Sequence, residues 1–193
     1  MRKFETLISR ASPLDRDDVD TDQIIPARFL RTIQSTGLGD HLFEDWRRDQ
    51  NGNPKADFVL NRPGASDRHI LIAGRNFGCG SSREHAVWSL LDFGIYVVIA
   101  TSFGDIFRKN SLRNGLLPIE VSRADQQACL EAVARNDAEF TVDLQNQKVT
   151  AGNVGFEFQV DPFARRCLLE GIDDLEYILK HEDEIGAFES GRV

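Results

Sequence analysis

Apolar and polar positions give this chain two rhythms. Residues 69–73 (HILIA), 96–100 (YVVIA) and 117–121 (LPIEV) are short, nearly solid apolar runs. Such runs fit strands buried on both faces, the usual state of a parallel sheet. The stretches between them, 82–93 and 103–114, carry helical periodicity. Gly94 and Gly115 close them, and glycine is the residue that most readily takes the left-handed turn ending a helix. Strand, helix, strand, helix, strand predicts a parallel sheet covered by helices. An earlier strand is expected over residues 4–11.

Downstream the pattern changes. Residues 123–135 read as an amphipathic helix with Ser122 as its cap and Asp125 in its first turn. Residues 140–149 and 156–160 then alternate with a period of two around a glycine-containing turn, which predicts a hairpin. Asp161-Pro162 is a suitable helix start, and residues 172–188 form an acidic, helical tail. Residues 23–46 are partly helical, broken by Pro26, Gly37 and Gly39, and residues 47–57 (RRDQNGNPKAD) are polar and turn-rich. Internal repeats and low-complexity segments are absent from the sequence. The expectation is one α/β domain over residues 1–193, with a surface loop about 26–57 and an acidic helical tail about 172–193.

Composition narrows the classes of partner. The 193 residues are 41% hydrophobic and 28% charged, enough to build a core. The net charge of −8 argues against nucleic acid, which needs a basic face. An anionic ligand would meet the same overall repulsion, so any anion site must be local, built from a few arginines and backbone N–H groups. Cys79, Cys129 and Cys167 are odd in number and far apart, which speaks against a disulfide framework and for a reducing compartment. The basic N-terminus is followed by no apolar stretch of signal-peptide type, and the run 95–100 is too short to span a bilayer. A cytoplasmic protein without a membrane anchor is expected.

The candidate chemistry lies at residues 75–85 (RNFGCGSSREH), between a buried strand and a helix. Two glycines allow a tight turn with close backbone approach. Two serines and Arg83 follow at the helix start, where the N–H groups and the positive dipole end favour carboxylates. Arg83 adds a guanidinium capable of gripping a carboxylate through two hydrogen bonds. Ser81-x-x-Glu84 equally fits a capping box, which needs no ligand, and the two readings can coexist. A serine-hydrolase elbow fails because Arg83 stands where glycine is required, and a phosphate-binding loop fails for want of lysine. Cys79 as a nucleophile has no evident base. The loop DRDDVDTDQIIP spaces Asp18, Asp20 and Asp22 like a calcium loop. However, Gln23 and Phe29 occupy the positions that need glycine and glutamate. Cysteine and histidine spacing reveals no metal site, and His41 and His69 stand alone.

Taken together, residues 77–85 (FGCGSSREH) and 19–30 (VDTDQIIPARFL) resemble the swivelling domain of the aconitase family. Residues 100–107 and 110–118 fit the same pattern. The likeness runs over roughly residues 4–179 and is strongest to the small subunits of the family's isopropylmalate isomerases. It implies an aconitase-like swivelling β/β/α fold with a mixed, mostly parallel sheet flanked by helices. It also implies a large-subunit partner carrying a 4Fe–4S cluster, and no cofactor or metal ligand in this chain. The implied activity is isomerisation of a small hydroxy-dicarboxylate by removal and re-addition of water, as in leucine biosynthesis. By matching positions, Ser81 would be the base. Ser82 and Arg83 would bind carboxylates, with Thr21 and Asp22 also at the substrate. Cluster iron would polarise the leaving hydroxyl. In the loop after Ile25, Leu30 and Ile33 would receive the apolar branch. Arg31 would supply the charge that relatives often carry where this chain has Ser35. Relatives acting on homoaconitate, citraconate or a methylated malate are the enzymatic alternative, and a non-catalytic binding or regulatory module is the other.

Overall fold

The computed structural model describes residues 1–30, 36–81 and 83–191. Its centre is a seven-stranded sheet. The strands are β1 (Leu7–Leu14), β2 (Ile70–Ala73), β3 (Val97–Ala100), β4 (Leu117–Glu120), β5 (Glu139–Asp143), β6 (Lys148–Ala151) and β7 (Val154–Glu157), arranged β4-β3-β2-β1-β5-β6-β7. The sheet is mixed: β1 to β4 run parallel, while β5, β6 and β7 add antiparallel to one side. β1 joins the halves by splitting along its length. Residues 7–10 pair with β5, whereas residues 11–14 pair with β2. Pro13 falls where β5 no longer pairs, the edge-like position in which a residue lacking an N–H is tolerated.

The helices are α1 (Thr21–Ile24), α2 (Glu44–Arg47), α3 (Glu84–Phe93), α4 (Asp105–Asn114), α5 (Arg123–Asn136), α6 (Pro162–Glu170), α7 (Asp174–Leu179) and α8 (Glu182–Ser190). Side chains alternate across a strand. Leu71, Ala73, Val98 and Ala100 therefore enter one core with Val87, Leu90, Phe43 and Phe77. Ile70, Ile72, Val97 and Ile99 enter a second core with Phe140, Val142, Cys129 and Leu168. Burial on both faces explains why these strands read as solid apolar runs. Gly94 and Gly115 close α3 and α4 in the left-handed conformation, and the Ser122 hydroxyl accepts from the Asp125 N–H at 3.1 Å to cap α5. None of the described helices is long and apolar enough to cross a membrane.

Several elements differ from the sequence expectation. The first strand starts at Leu7 rather than residue 4, because Phe4 turns into the second core and its N–H donates to the Leu168 carbonyl at 2.8 Å. Residues 140–149 do not form one strand. Leu144 is buried within a turn held by the Asp143 carboxylate, which accepts from the Asn146 N–H at 2.9 Å, so the region folds into three strands. The tail divides into α7 and α8. Segment 26–57 is more than a surface loop: Leu38, Leu42 and Phe43 are fully or almost fully buried in the first core. The polar stretch within it is closed by Asn61, whose amide donates to the carbonyls of Arg47 at 2.6 Å and Lys55 at 2.9 Å.

Candidate functional site

β1, β2 and β3 are parallel, so the loops that follow them leave from the same sheet edge, where ligands of α/β proteins commonly bind. The loops lie side by side and bond to one another. The Asp18 N–H donates to the Arg75 carbonyl at 2.8 Å, the Gly78 N–H to Val19 at 2.7 Å and the Thr21 N–H to Cys79 at 2.9 Å. On the other flank, the Phe77 N–H donates to the Ser102 carbonyl at 3.0 Å and the Gly104 N–H to Phe77 at 2.9 Å. Residues 74–81 are thus the middle strip of a three-loop layer.

The aspartates of the first loop fasten this layer. Asp17 accepts from the Arg75 N–H at 2.7 Å, and Asp18 accepts from the Asn76 amide at 2.8 Å and the Arg75 guanidinium at 2.6 Å. Asp20 caps α1, in a box completed by Gln23. Of the calcium-like trio, Asp18 and Asp22 bond across to the neighbouring loop, whereas Asp20 caps its own helix. Hydrogen bonding to a loop was one of the readings open for Asp18 from sequence, whereas Asn76 and Ser102 were missed as parts of the frame. Asp18 and Asn76 take positive φ of 54° and 57°, a conformation in which Asp and Asn are enriched, and that preference was the available signal.

Two glycines set the path of the turn. Gly78 has φ of 74°, and a Cβ there would lie 2.2 Å from Cγ of Phe107. Gly80 has φ of 98°, and its Cβ would come within 3.3 Å of the Thr21 hydroxyl oxygen. The chain leaves this turn with Ser81 exposed. α3 then begins at Glu84 with Arg83 as its cap residue and no side-chain cap bond. The capping box expected from Ser81-x-x-Glu84 is therefore not formed. The turn holds Ser81 three positions ahead of Glu84, the first residue of the helix, with its carbonyl accepting from the Arg83 N–H at 2.8 Å.

Around Ser81 the structure gathers three of the expected residues. The Thr21 hydroxyl donates to the Ser81 carbonyl at 3.2 Å and lies 3.4 Å from the Ser81 hydroxyl oxygen. The Arg83 guanidinium is ion-paired with the Asp22 carboxylate. Leu30 ends the short 3-10 turn Ala27–Phe29 and packs, partly buried, on the first core. That turn is anchored by an Arg28–Asp45 ion pair and by Phe29 stacked on His41 at 3.8 Å. Ser82, Arg31, Ile33 and Ser35 lie outside the described residues. Cys79 is a poor nucleophile: burial, and then the nearby Asp20 and Asp18 charges, push its thiol pKa up. The three cysteines are free, and among the described residues no three His, Cys, Asp or Glu side chains form a metal cage. This chain's described residues do not fit an iron–sulfur cluster.

Comparisons with known proteins bear on this arrangement. The family model of the aconitase C-terminal domain matches residues 1–124, and a LeuD_N model matches residues 130–162. The 3-isopropylmalate dehydratase small subunit of Paramagnetospirillum magneticum is 50% identical, over 100% of this chain and 96% of its own length. That of Cytophaga hutchinsonii is 49% identical, over 98% and 95%. A crystal structure of 3-isopropylmalate dehydratase from Methanocaldococcus jannaschii superposes with a TM-score of 0.66 at 28% identity, covering 96% of this chain and 99% of that one. With whole-length identity near one half and the aconitase C-terminal domain over most of the chain, this protein belongs to the family of 3-isopropylmalate dehydratase small subunits.

Proposed function

We propose that the chain is the small subunit of a hydro-lyase that interconverts 2-isopropylmalate and 3-isopropylmalate in leucine biosynthesis, active with a large subunit that brings the iron–sulfur cluster. The supporting observation is the exposed Ser81 hydroxyl, released from capping and set beside Arg83 at the uncapped start of α3. In this reading Arg83 and Ser82 hold carboxylates of the acid, and the positive end of the α3 dipole adds to their pull. Leu30, Ile33 and Arg31 meet the rest of the substrate. Ser81 removes the proton from the carbon next to the one bearing the hydroxyl. The electrons of that C–H bond become the double bond as the hydroxyl departs with a proton from an acid that the large subunit would supply. When water adds back at the carbon that lost its hydrogen, Ser81 returns its proton to the carbon that lost the hydroxyl.

A serine is a weak base at neutral pH, so Ser81 can act only where positive charge and donors stabilise its alkoxide. Asp22 takes a different part from the substrate contact its position suggested. A carboxylate facing a dicarboxylate would repel it, whereas Asp22, paired with one Arg83 nitrogen, tethers the guanidinium beside the turn. Arg83 has further N–H donors with which to meet the acid.

The test is direct turnover. The chain co-purified with its large subunit, with the cluster intact, should convert 2-isopropylmalate faster than homoaconitate, citraconate or a methylated malate. A clear preference for one of those acids would move the substrate assignment, and no turnover of any would overturn the enzymatic reading.

A further inference from the structure

Two hydroxyls meet at the turn, and they differ in access. Ser81 is exposed, while Thr21 is 2% exposed and sits beneath it. A residue buried to that degree is poorly placed to touch substrate. Its geometry points elsewhere: the Thr21 hydroxyl oxygen lies 3.2 Å from the Ser81 carbonyl oxygen and 3.4 Å from the Ser81 hydroxyl oxygen. The Thr21 side chain has little freedom to leave. Its N–H is bound to Cys79 at 2.9 Å, its carbonyl accepts from Ile25 at 3.0 Å, and Gly80 closes over its oxygen.

We infer that Thr21 is a positioning residue for Ser81, a donor that changes partner as Ser81 changes charge. With Ser81 neutral, Thr21 donates to the Ser81 carbonyl and its oxygen accepts the Ser81 hydroxyl proton. The Ser81 lone pairs are then left facing the exposed side. With Ser81 as the alkoxide, the Thr21 O–H turns to Ser81 Oγ, and a hydrogen bond to a charged oxygen is stronger than one to a neutral carbonyl. Thr21 keeps its own proton throughout. The transferred proton passes only between the substrate carbon and Ser81 Oγ. Gly80 belongs to the same device, since its missing side chain leaves room for the Thr21 hydroxyl to lie against the turn.

This inference rests on Ser81 being the proton-accepting residue, and the experiment separates the two claims. In the two-subunit holoenzyme, Thr21→Val keeps the shape and removes the hydroxyl. It should lower kcat about 10- to 100-fold, with KM changed less than about threefold. The acid limb of the pH–rate profile should move to higher pH. Thr21→Ser should recover most of the rate, and Thr21→Ala serves if the valine variant fails to assemble. Wild-type kcat and pH profile in the valine or alanine variant would overturn the inference. So would a serine variant as slow as the valine one, which would mean that packing of the methyl group is what matters. Ser81→Ala is measured alongside. Its collapse with an unaffected Thr21→Val would remove Thr21 alone, whereas near-normal turnover of Ser81→Ala would remove the assignment of the base as well.

Discussion

Asp22 and Arg83, 61 positions apart in sequence, form an ion pair across two neighbouring loops of the sheet edge. Arg83 is the more sheltered partner, with 25% of its side chain exposed against 54% for Asp22. Exposed ion pairs contribute little to stability, so the part proposed for this one is to orient the Arg83 guanidinium. Asp22→Asn should raise KM for the dicarboxylate several-fold while leaving the melting temperature nearly unchanged. Arg83→Lys, which loses the planar fork, should raise KM about 10- to 100-fold. The double variant should fall short of the sum of the two effects, because both act on one guanidinium. Additive losses in steady-state kinetics would count against a shared role.

Gly78→Ala places a methyl group on the Phe107 ring and forces a positive φ on a residue with a side chain. The expected cost is about 2–4 kcal/mol by chemical denaturation. Gly52→Ala, where φ is also positive but no atom lies within 4 Å, is the control and should cost only about 1 kcal/mol. Equal losses would mean that the close approach to Phe107 has no energetic consequence.

A third expectation concerns acid. Asp137, the left-handed residue that ends α5, accepts from both terminal nitrogens of Arg68, one at 2.9 Å, with Arg10 at 3.4 Å. These hydrogen bonds to Arg68, then its charge and that of Arg10, hold the Asp137 carboxyl below its ordinary pKa. A carboxyl depressed in the folded state adds stability above the unfolded pKa, about 4, and loses it as pH falls through the folded value. The gap in melting temperature between wild type and Arg68→Gln should therefore narrow as pH drops below about 4. A gap unchanged between neutral pH and pH 3 would contradict the assignment.

The raised Cys79 thiol pKa leads to a chemical prediction. Alkylation of Cys79 by iodoacetamide at neutral pH should be slower than that of a free peptide cysteine, because the thiolate fraction is small. Cys79→Ser should retain turnover in the assembled enzyme. Fast labelling, or loss of activity in the serine variant, would return Cys79 to the list of reactive groups.

The parallel half of the fold was legible because burial on both faces leaves solid apolar runs, and glycines at 94 and 115 mark where α3 and α4 stop. The antiparallel half was less so. The turn between β5 and β6 hides behind Leu144, an apolar residue buried inside it, and β1 changes partner midway, which periodicity does not record. At the site, the glycine–serine turn was legible through its residue types. The contacts that define it were not: Thr21–Ser81 and Asp22–Arg83 join segments about 60 residues apart, and one sequence carries no sign of such pairs. The Ser81-x-x-Glu84 signal failed because loop-to-loop bonding holds Ser81 ahead of the helix and hands the cap position to Arg83.

The claim on which the rest depends is that Ser81 works as the base at this edge. The most direct measurement is single-turnover dehydration of 2-isopropylmalate by the assembled two-subunit enzyme carrying Ser81→Ala. Its cluster content, subunit stoichiometry and melting temperature should match those of wild type. The predicted result is a rate lower by about 1,000-fold or more, with substrate still bound. A rate within a few-fold of wild type would show that Ser81 is not the group that takes the proton.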